Sequence, residues 1–126
     1  MDKKKILMID DEEAICILVK LNLESAGEYE VTIATSGNEG LAKAKETDFD
    51  LVITDLLMPG ISGRDVLRAI KAMKPDMPVI LASAFHDVND LGNSPDLAAA
   101  DAYIKKPFDR VEINKAVKRV LDGRKT

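Results

Sequence analysis

Asp50-Leu51-Val52-Ile53-Thr54-Asp55-Leu56-Leu57-Met58-Pro59-Gly60 decides the fold. A short run of Leu, Val and Ile stops on a carboxylate and breaks at once into a Pro-Gly turn. An apolar run bounded by turn residues fits a strand buried on both faces. Asp55 is then expected at the rim of a core, too exposed to be packing and too well anchored to be an ordinary surface charge.

Working outward, the same pattern recurs. Ile6-Leu7-Met8-Ile9 ends on Asp10-Asp11, and Val31-Thr32-Ile33-Ala34, residues 78–82 and the shorter Ala102-Tyr103-Ile104-Lys105 complete a set of five strands. Helical spacing fills the intervals. Ala14, Ile17, Leu18 and Leu21 recur at i, i+3, i+4 and i+7, which predicts the core-facing stripe of a first helix that ends near Gly27. Ser36 and Glu39 have capping-box spacing and open a helix that carries Leu41 and Ala44 inward. Val66, Ala69, Ile70 and Met73 give a third stripe, ended by Lys74-Pro75. Ile113, Ala116, Val117, Val120 and Leu121 give a terminal helix with a basic outer face of Lys115, Lys118 and Arg119. Gly92-Asn93-Ser94-Pro95 breaks the segment 85–100, which reads as an irregular loop with a short helix over 95–100. Strands alternating with helices predict an α/β fold, a doubly wound five-stranded parallel sheet with helices on both faces.

Composition sets the bounds. A chain of 126 residues suits one domain, here residues 1–126, with a real core. Its formal net charge of -4 argues against direct nucleic-acid binding, which needs a basic patch. A single cysteine, Cys16, excludes an internal disulfide and suits a reducing compartment; it reads as a small buried helix residue. The apolar run after the basic Met1-Asp2-Lys3-Lys4-Lys5 is too short for a signal peptide or membrane span, so no membrane contact and a cytoplasmic location are expected. Thr126 follows the last helix closely, so an output domain is expected to be absent.

The chemistry gathers at strand ends. Asp10 and Asp11 follow strand one, Asp55 ends strand three, Ser83 follows strand four and Lys106 follows strand five. In an open parallel sheet these carboxyl ends lie along one edge, where ligands bind at the point at which strand order reverses. Three carboxylates about 5 Å apart repel by roughly 3 kcal/mol a pair at an effective dielectric near 20. Either one acid holds a proton or a divalent cation joins them. Oxygen-only ligands favour Mg²⁺, or Mn²⁺, over softer metals. Cation, ammonium and hydroxyl together suit a phosphoryl group in flight, and a carboxylate is a competent acceptor of one.

Four blocks in this order resemble the receiver domain of two-component response regulators, the chemotaxis-type, flavodoxin-like fold. They are Ile9-Asp10-Asp11-Glu12, then Thr54 to Gly60 followed by Gly63, then Ser83-Ala84, then Tyr103-Ile104-Lys105-Lys106-Pro107-Phe108. The resemblance covers the whole chain and implies strand order 2-1-3-4-5. It implies Asp55 as phosphoacceptor, with Mg²⁺ held by Asp11, Asp55 and the backbone carbonyl of Leu57, and by Asp10 through water. It implies that Ser83 and Lys106 contact the phosphoryl oxygens while Lys105 faces elsewhere, and that the Lys106-Pro107 bond is cis. Ser83 and Tyr103 are the implied switch pair. The implied partners are a sensor histidine kinase or phosphotransfer protein and a downstream effector. A phosphorylation-dependent dimer is a further expectation, and the only turnover expected is autodephosphorylation.

Other readings stand beside this one. Asp10-Asp11 alone reads as a loop turn or helix cap, Ser83 as a small strand-end residue, Lys106 as a solvated charge and Tyr103 as strand packing. His86 is the only histidine and reads as a surface residue, which argues against a histidine phosphodonor. A second apolar set on the first helix, Ile15, Val19 and Leu23, reads either as burial between neighbours or as a patch that docks a kinase bundle. Leu57 and Phe85 are apolar where fast chemotaxis members are polar, which predicts a long-lived aspartyl phosphate. Ala99-Ala100, where the family often has Gly-Ala, leaves the helix before strand five undefined. A haloacid dehalogenase-type phosphatase needs an Asp where Glu12 stands, and room for a cap. A pseudo-receiver that only binds partners has no need of Asp10, Asp11, Asp55, Ser83 and Lys106 together. A nucleotide-binding module lacks its Gly-rich loop after strand one.

Overall fold

The computed structural model describes residues 3–84 and 97–123. Leu51–Asp55 forms the central strand β3, buried along its whole length. Around it, in chain order, lie β1 (Lys4–Ile9), α1 (Glu13–Glu24), β2 (Tyr29–Ala34), α2 (Gly37–Glu46), α3 (Gly63–Met73), β4 (Val79–Ala84), a 3₁₀ turn (Leu97–Ala99), β5 (Ala102–Lys106) and α4 (Arg110–Gly123). The sheet is parallel, in the order β2-β1-β3-β4-β5 that the resemblance implies. The order reverses at β1, which pairs with β2 on one side and β3 on the other.

Side chains that alternate along each strand build two cores. Leu7, Ile9, Val52, Val79 and Leu81 meet α2 and α3 through Ala44, Val66, Leu67 and Ile70. Ile6, Met8, Leu51, Ile53 and Ile80 meet α1 and α4 through Cys16, Val19, Leu23, Ile113 and Val117. The helices therefore cover both faces, as predicted.

Two stripes need correction. On α1 the buried residues are Cys16, Val19 and Leu23, while the predicted core stripe is turned outward, with Ile17 46%, Leu18 52% and Leu21 63% exposed. Ile15 packs partly buried against the core, so Ile15, Val19 and Leu23 form no docking patch. Both stripes obey the helical period, because the helix is apolar nearly all round; periodicity could not choose between them. The choice follows from the entry of the chain: Asp10 accepts from the Glu12 N–H through Oδ1 at 2.9 Å, and the Cys16 thiol donates to the Asp10 carbonyl at 3.4 Å. On α3 the structure buries Gly63, Val66, Leu67 and Ile70 and leaves Met73 at the rim. The stripe is rotated toward Leu67 because the helix starts at Gly63, pressed against the end of β3.

The caps behave as their chemistry dictates. Ser36 accepts from the Glu39 N–H at 3.1 Å, while the Glu39 carboxylate reaches back one residue further than expected, to the Thr35 N–H at 2.6 Å. Ser62 and Asp65 make a full capping box on α3. The terminal helix faces inward as predicted, with Lys115, Lys118 and Arg119 outside. Of the predicted short helix at 95–100, the described part is the 3₁₀ turn. Phe85, His86 and residues 92–95 lie outside the described residues.

Candidate functional site

Three strand ends deliver the site. Asp10 follows β1 and is fully buried, Asp11 is exposed, and Asp55 closes β3 at 7% exposure, deeper than a rim position. One carboxylate oxygen from each lies within 4.8 Å of the other two. Lys106, the last residue of β5, reaches across the edge. Its Nζ donates to Asp10 Oδ2 at 2.8 Å and lies 3.2 Å from Asp55 Oδ1. Lys105 is exposed, and the Lys106-Pro107 bond is cis.

Electrostatics follow from burial and neighbours. Burial pushes the Asp55 carboxyl above the ordinary carboxylate range, helped by the charge of Asp10, with Lys106 opposing. On Lys106 burial works against the charge, but the hydrogen bond and charge of Asp10, with Asp55 behind them, outweigh it and raise the ammonium above its usual value. Cys16, beneath Asp10, is pushed up to about 12 by burial and then by the Asp10 charge, so it stays a neutral thiol.

Ser83 sits one residue beyond Ala82, the ladder partner of Asp55, and its own partner on β5 is Lys105. Its hydroxyl is buried and has no hydrogen-bond partner among the described residues. A buried hydroxyl without a partner is costly and fits a group waiting for an incoming acceptor. Tyr103 is half-buried against the α2/α3-side core, and burial raises its hydroxyl. Leu57 is 61% exposed on the loop after β3. The donor set is all oxygen, with one exposed and two buried carboxylates, and it fits a hard divalent cation.

Two residues of this edge stand in the blocks that carry the resemblance, but their sequence context assigns them no role. Thr54, fully buried, donates its hydroxyl to the Asp55 carbonyl at 3.1 Å. Gly63 donates its N–H to the Leu56 carbonyl at 2.8 Å, and a Cβ there would stand 2.2 Å from the Asp55 carbonyl oxygen. A glycine was visible at position 63, but a close backbone approach leaves no periodic mark.

An acidic triad bridged by a lysine, at the switch point of a 2-1-3-4-5 sheet, defines a class of α/β signalling domain in which phosphorylation is the signal. The chain belongs to the response regulator receiver domain family, whose model matches residues 6–118. It is 37% identical over 118 residues to the alkaline phosphatase synthesis transcriptional regulatory protein PhoP of Bacillus subtilis, covering 94% of this chain and 48% of PhoP. It is 39% identical to the uncharacterized transcriptional regulatory protein YkoG of the same organism, over all of this chain and 55% of YkoG. The chain thus spans about half the length of these relatives. Among solved structures, the response regulator TrrA of Thermotoga maritima, in complex with Mg²⁺ and BeF, is 41% identical with a TM-score of 0.83, covering 93% of this chain and 98% of TrrA. A receiver domain protein of Clostridium thermocellum is 36% identical with a TM-score of 0.87, each chain covered to 97%. Response regulators take phosphoryl groups from histidine kinases and act on downstream effectors. Among the described residues, no helix is long and apolar enough to cross a membrane.

Proposed function

We propose that residues 1–126 act as one receiver domain that accepts a phosphoryl group on Asp55. The observation that carries this is the meeting of Asp10, Asp11 and Asp55 within 4.8 Å under the Lys106 ammonium. In the transfer, an Asp55 carboxylate oxygen forms the new O–P bond as the P–N bond of a phosphohistidine donor breaks. The electron pair of that bond stays on the imidazole nitrogen, which takes a proton from solvent. The Lys106 ammonium and the Ser83 hydroxyl contact the phosphoryl oxygens and stabilise the charge on them. Mg²⁺, or Mn²⁺ with the same oxygen preference, supplies the remaining positive charge. Asp11, Asp55 and the Leu57 carbonyl would hold it, with Asp10 acting through water. The domain supplies its own catalytic groups, so small phosphodonors serve as well, and its only turnover is loss of the phosphate to water.

Phosphorylation then moves Ser83 toward the phosphate and lets Tyr103 turn inward, which changes the surface around β5 and α4 that an effector or a second copy reads. The exposed apolar residues of α1, Ile17, Leu18 and Leu21, are the surface we assign to the kinase or phosphotransfer protein. The domain works in the cytoplasm without touching nucleic acid or membrane. The haloacid dehalogenase reading is disfavoured by Glu12, an exposed residue that stands where that family has its second Asp. A pseudo-receiver is disfavoured by the complete acid-lysine set.

The test is direct. After incubation with acetyl phosphate and Mg²⁺, borohydride reduction converts an aspartyl phosphate to homoserine, which peptide mass spectrometry locates. Homoserine at position 55 is expected. Incorporation elsewhere, or none without kinase and none with it, rejects the assignment.

A further inference from the structure

We infer that Thr54 and Gly63 are positioning residues for phosphoryl transfer, holding the peptide that follows Asp55 so that its carboxylate stays aimed into the acidic pocket. The inference rests on Asp55 as acceptor. Two sides of that one peptide plane are bound. Its N–H, on Leu56, donates to the Ala82 carbonyl of β4 at 2.9 Å. Its C=O, on Asp55, accepts the Thr54 hydroxyl at 3.1 Å. Thr54 is fully buried, so no water replaces that bond when it is lost.

Gly63 closes the third side. A Cβ at this position would lie 2.2 Å from the Asp55 carbonyl oxygen, 2.9 Å from its carbon and 2.7 Å from the Leu56 Cα. These are backbone atoms, and no side-chain rotation relieves such contacts. The Gly63 N–H also donates to the Leu56 carbonyl at 2.8 Å, and the Ser62–Asp65 capping box fixes the turn that presents it. α3 therefore rests directly on the backbone of the acceptor residue. The same peptide is bonded to Ala82, next to Ser83, so a tilt of this plane disturbs Asp55 and the phosphoryl-facing edge of β4 together. Reaction rates respond steeply to such displacements: a misplacement of about 1 Å costs on the order of a hundredfold.

The experiment compares Thr54→Val, Thr54→Ser, Gly63→Ala and, as control, Ile70→Val. Ile70 is buried further along α3 and makes none of these backbone contacts. Each variant is measured for thermal midpoint, Mg²⁺ affinity by calorimetry, and phosphorylation rate with acetyl phosphate. Thr54→Val is expected to slow phosphorylation about fivefold and to weaken Mg²⁺ binding, with Thr54→Ser near wild type. Gly63→Ala is expected to lose on the order of a hundredfold in rate. Ile70→Val should lose stability while keeping wild-type rate and affinity. Wild-type rate and Mg²⁺ affinity in folded Thr54→Val and Gly63→Ala overturn the inference. So does a matching loss in Ile70→Val, which would make the effect one of stability. If Gly63→Ala does not fold, the Thr54 pair decides. Failure of the wild type to phosphorylate at Asp55 rejects the acceptor assignment, while the Mg²⁺ affinities still judge the positioning claim.

Discussion

At the scale of single residues, Asp55 carries opposing demands. As the proposed phosphoryl acceptor it must be ionised, yet burial and Asp10 hold its carboxyl above the usual range. A raised folded value means that its contribution to stability is complete below the ordinary carboxylate value and is lost as pH rises through the raised one. Asp55→Asn removes that titration and leaves Lys106 paired with Asp10. The variant should therefore melt roughly 2–5 °C above wild type at neutral pH. The gap should close as pH falls toward the ordinary carboxylate value, and thermal melts across that range check it. A gap independent of pH contradicts the electrostatic account. Leu57 sets a second expectation. Its side chain is apolar and exposed two residues after Asp55, and it cannot orient an attacking water. Leu57→Asn, alone or with Phe85→Glu, should shorten the life of the phosphorylated form by roughly 2- to 100-fold. Decay of the phosphoprotein over time measures this.

At the scale of elements, α1 teaches most about what a sequence can show. Strand-like runs and the carboxylates after them were legible, because a buried strand stays largely apolar and uncharged until its end. The orientation of α1 was not, since Ala14, Ile15, Cys16, Ile17, Leu18, Val19, Leu21 and Leu23 leave two equally apolar stripes. Only the three-dimensional seat of Cys16 under Asp10 decides between them. The exposed stripe makes a prediction. Ile17→Asp or Leu21→Asp should slow phosphotransfer from the cognate kinase at least about tenfold while leaving acetyl phosphate phosphorylation at the wild-type rate. Equal loss with both donors would mean damage to the site rather than to docking. The same helix guards the edge of the sheet. Lys20 donates to the Val31 carbonyl at 2.7 Å, Glu24 accepts the Val31 N–H at 2.9 Å, and the two side chains pair at 2.8 Å. Together they occupy both outward groups of Val31 on the edge strand β2. Glu24→Ala should accelerate hydrogen exchange at the Val31 amide, with little change at Ile53 in the central strand. The hydrogen bond from Lys20 lowers the Glu24 carboxyl below its ordinary value, so this clasp holds above that value and opens as pH falls through the lowered one.

At the scale of the molecule, function follows from topology. Asp10 and Lys106 are 96 positions apart in sequence, yet a parallel sheet brings their strand ends to one edge and the side chains to 2.8 Å. That convergence was legible because each residue stands directly after a strand. The two-sided packing was legible from the alternation of strands and helices. The grip of Thr54 and Gly63 on the Asp55 peptide was not, because neither a threonine hydroxyl bonded to the next carbonyl nor a close backbone approach at a glycine leaves a periodic mark in the sequence. The triad also makes the whole fold sensitive to cations. At a hundredfold excess over its dissociation constant, Mg²⁺ should stabilise the domain by about 2.7 kcal/mol. Asp11→Asn should lose much of that gain at the same concentration.

The proposed roles of Asp55 as phosphoryl acceptor and of Tyr103 as the residue that responds are tested together. Beryllofluoride, a phosphoryl mimic, is added with Mg²⁺ to the wild type and to Asp55→Asn, and the environment of Tyr103 is followed by NMR with the ring labelled. The account predicts a saturable shift of the Tyr103 signals in the wild type that requires both Mg²⁺ and beryllofluoride and is absent from Asp55→Asn. An unmoved Tyr103 in the wild type, or the same shift in Asp55→Asn, contradicts it.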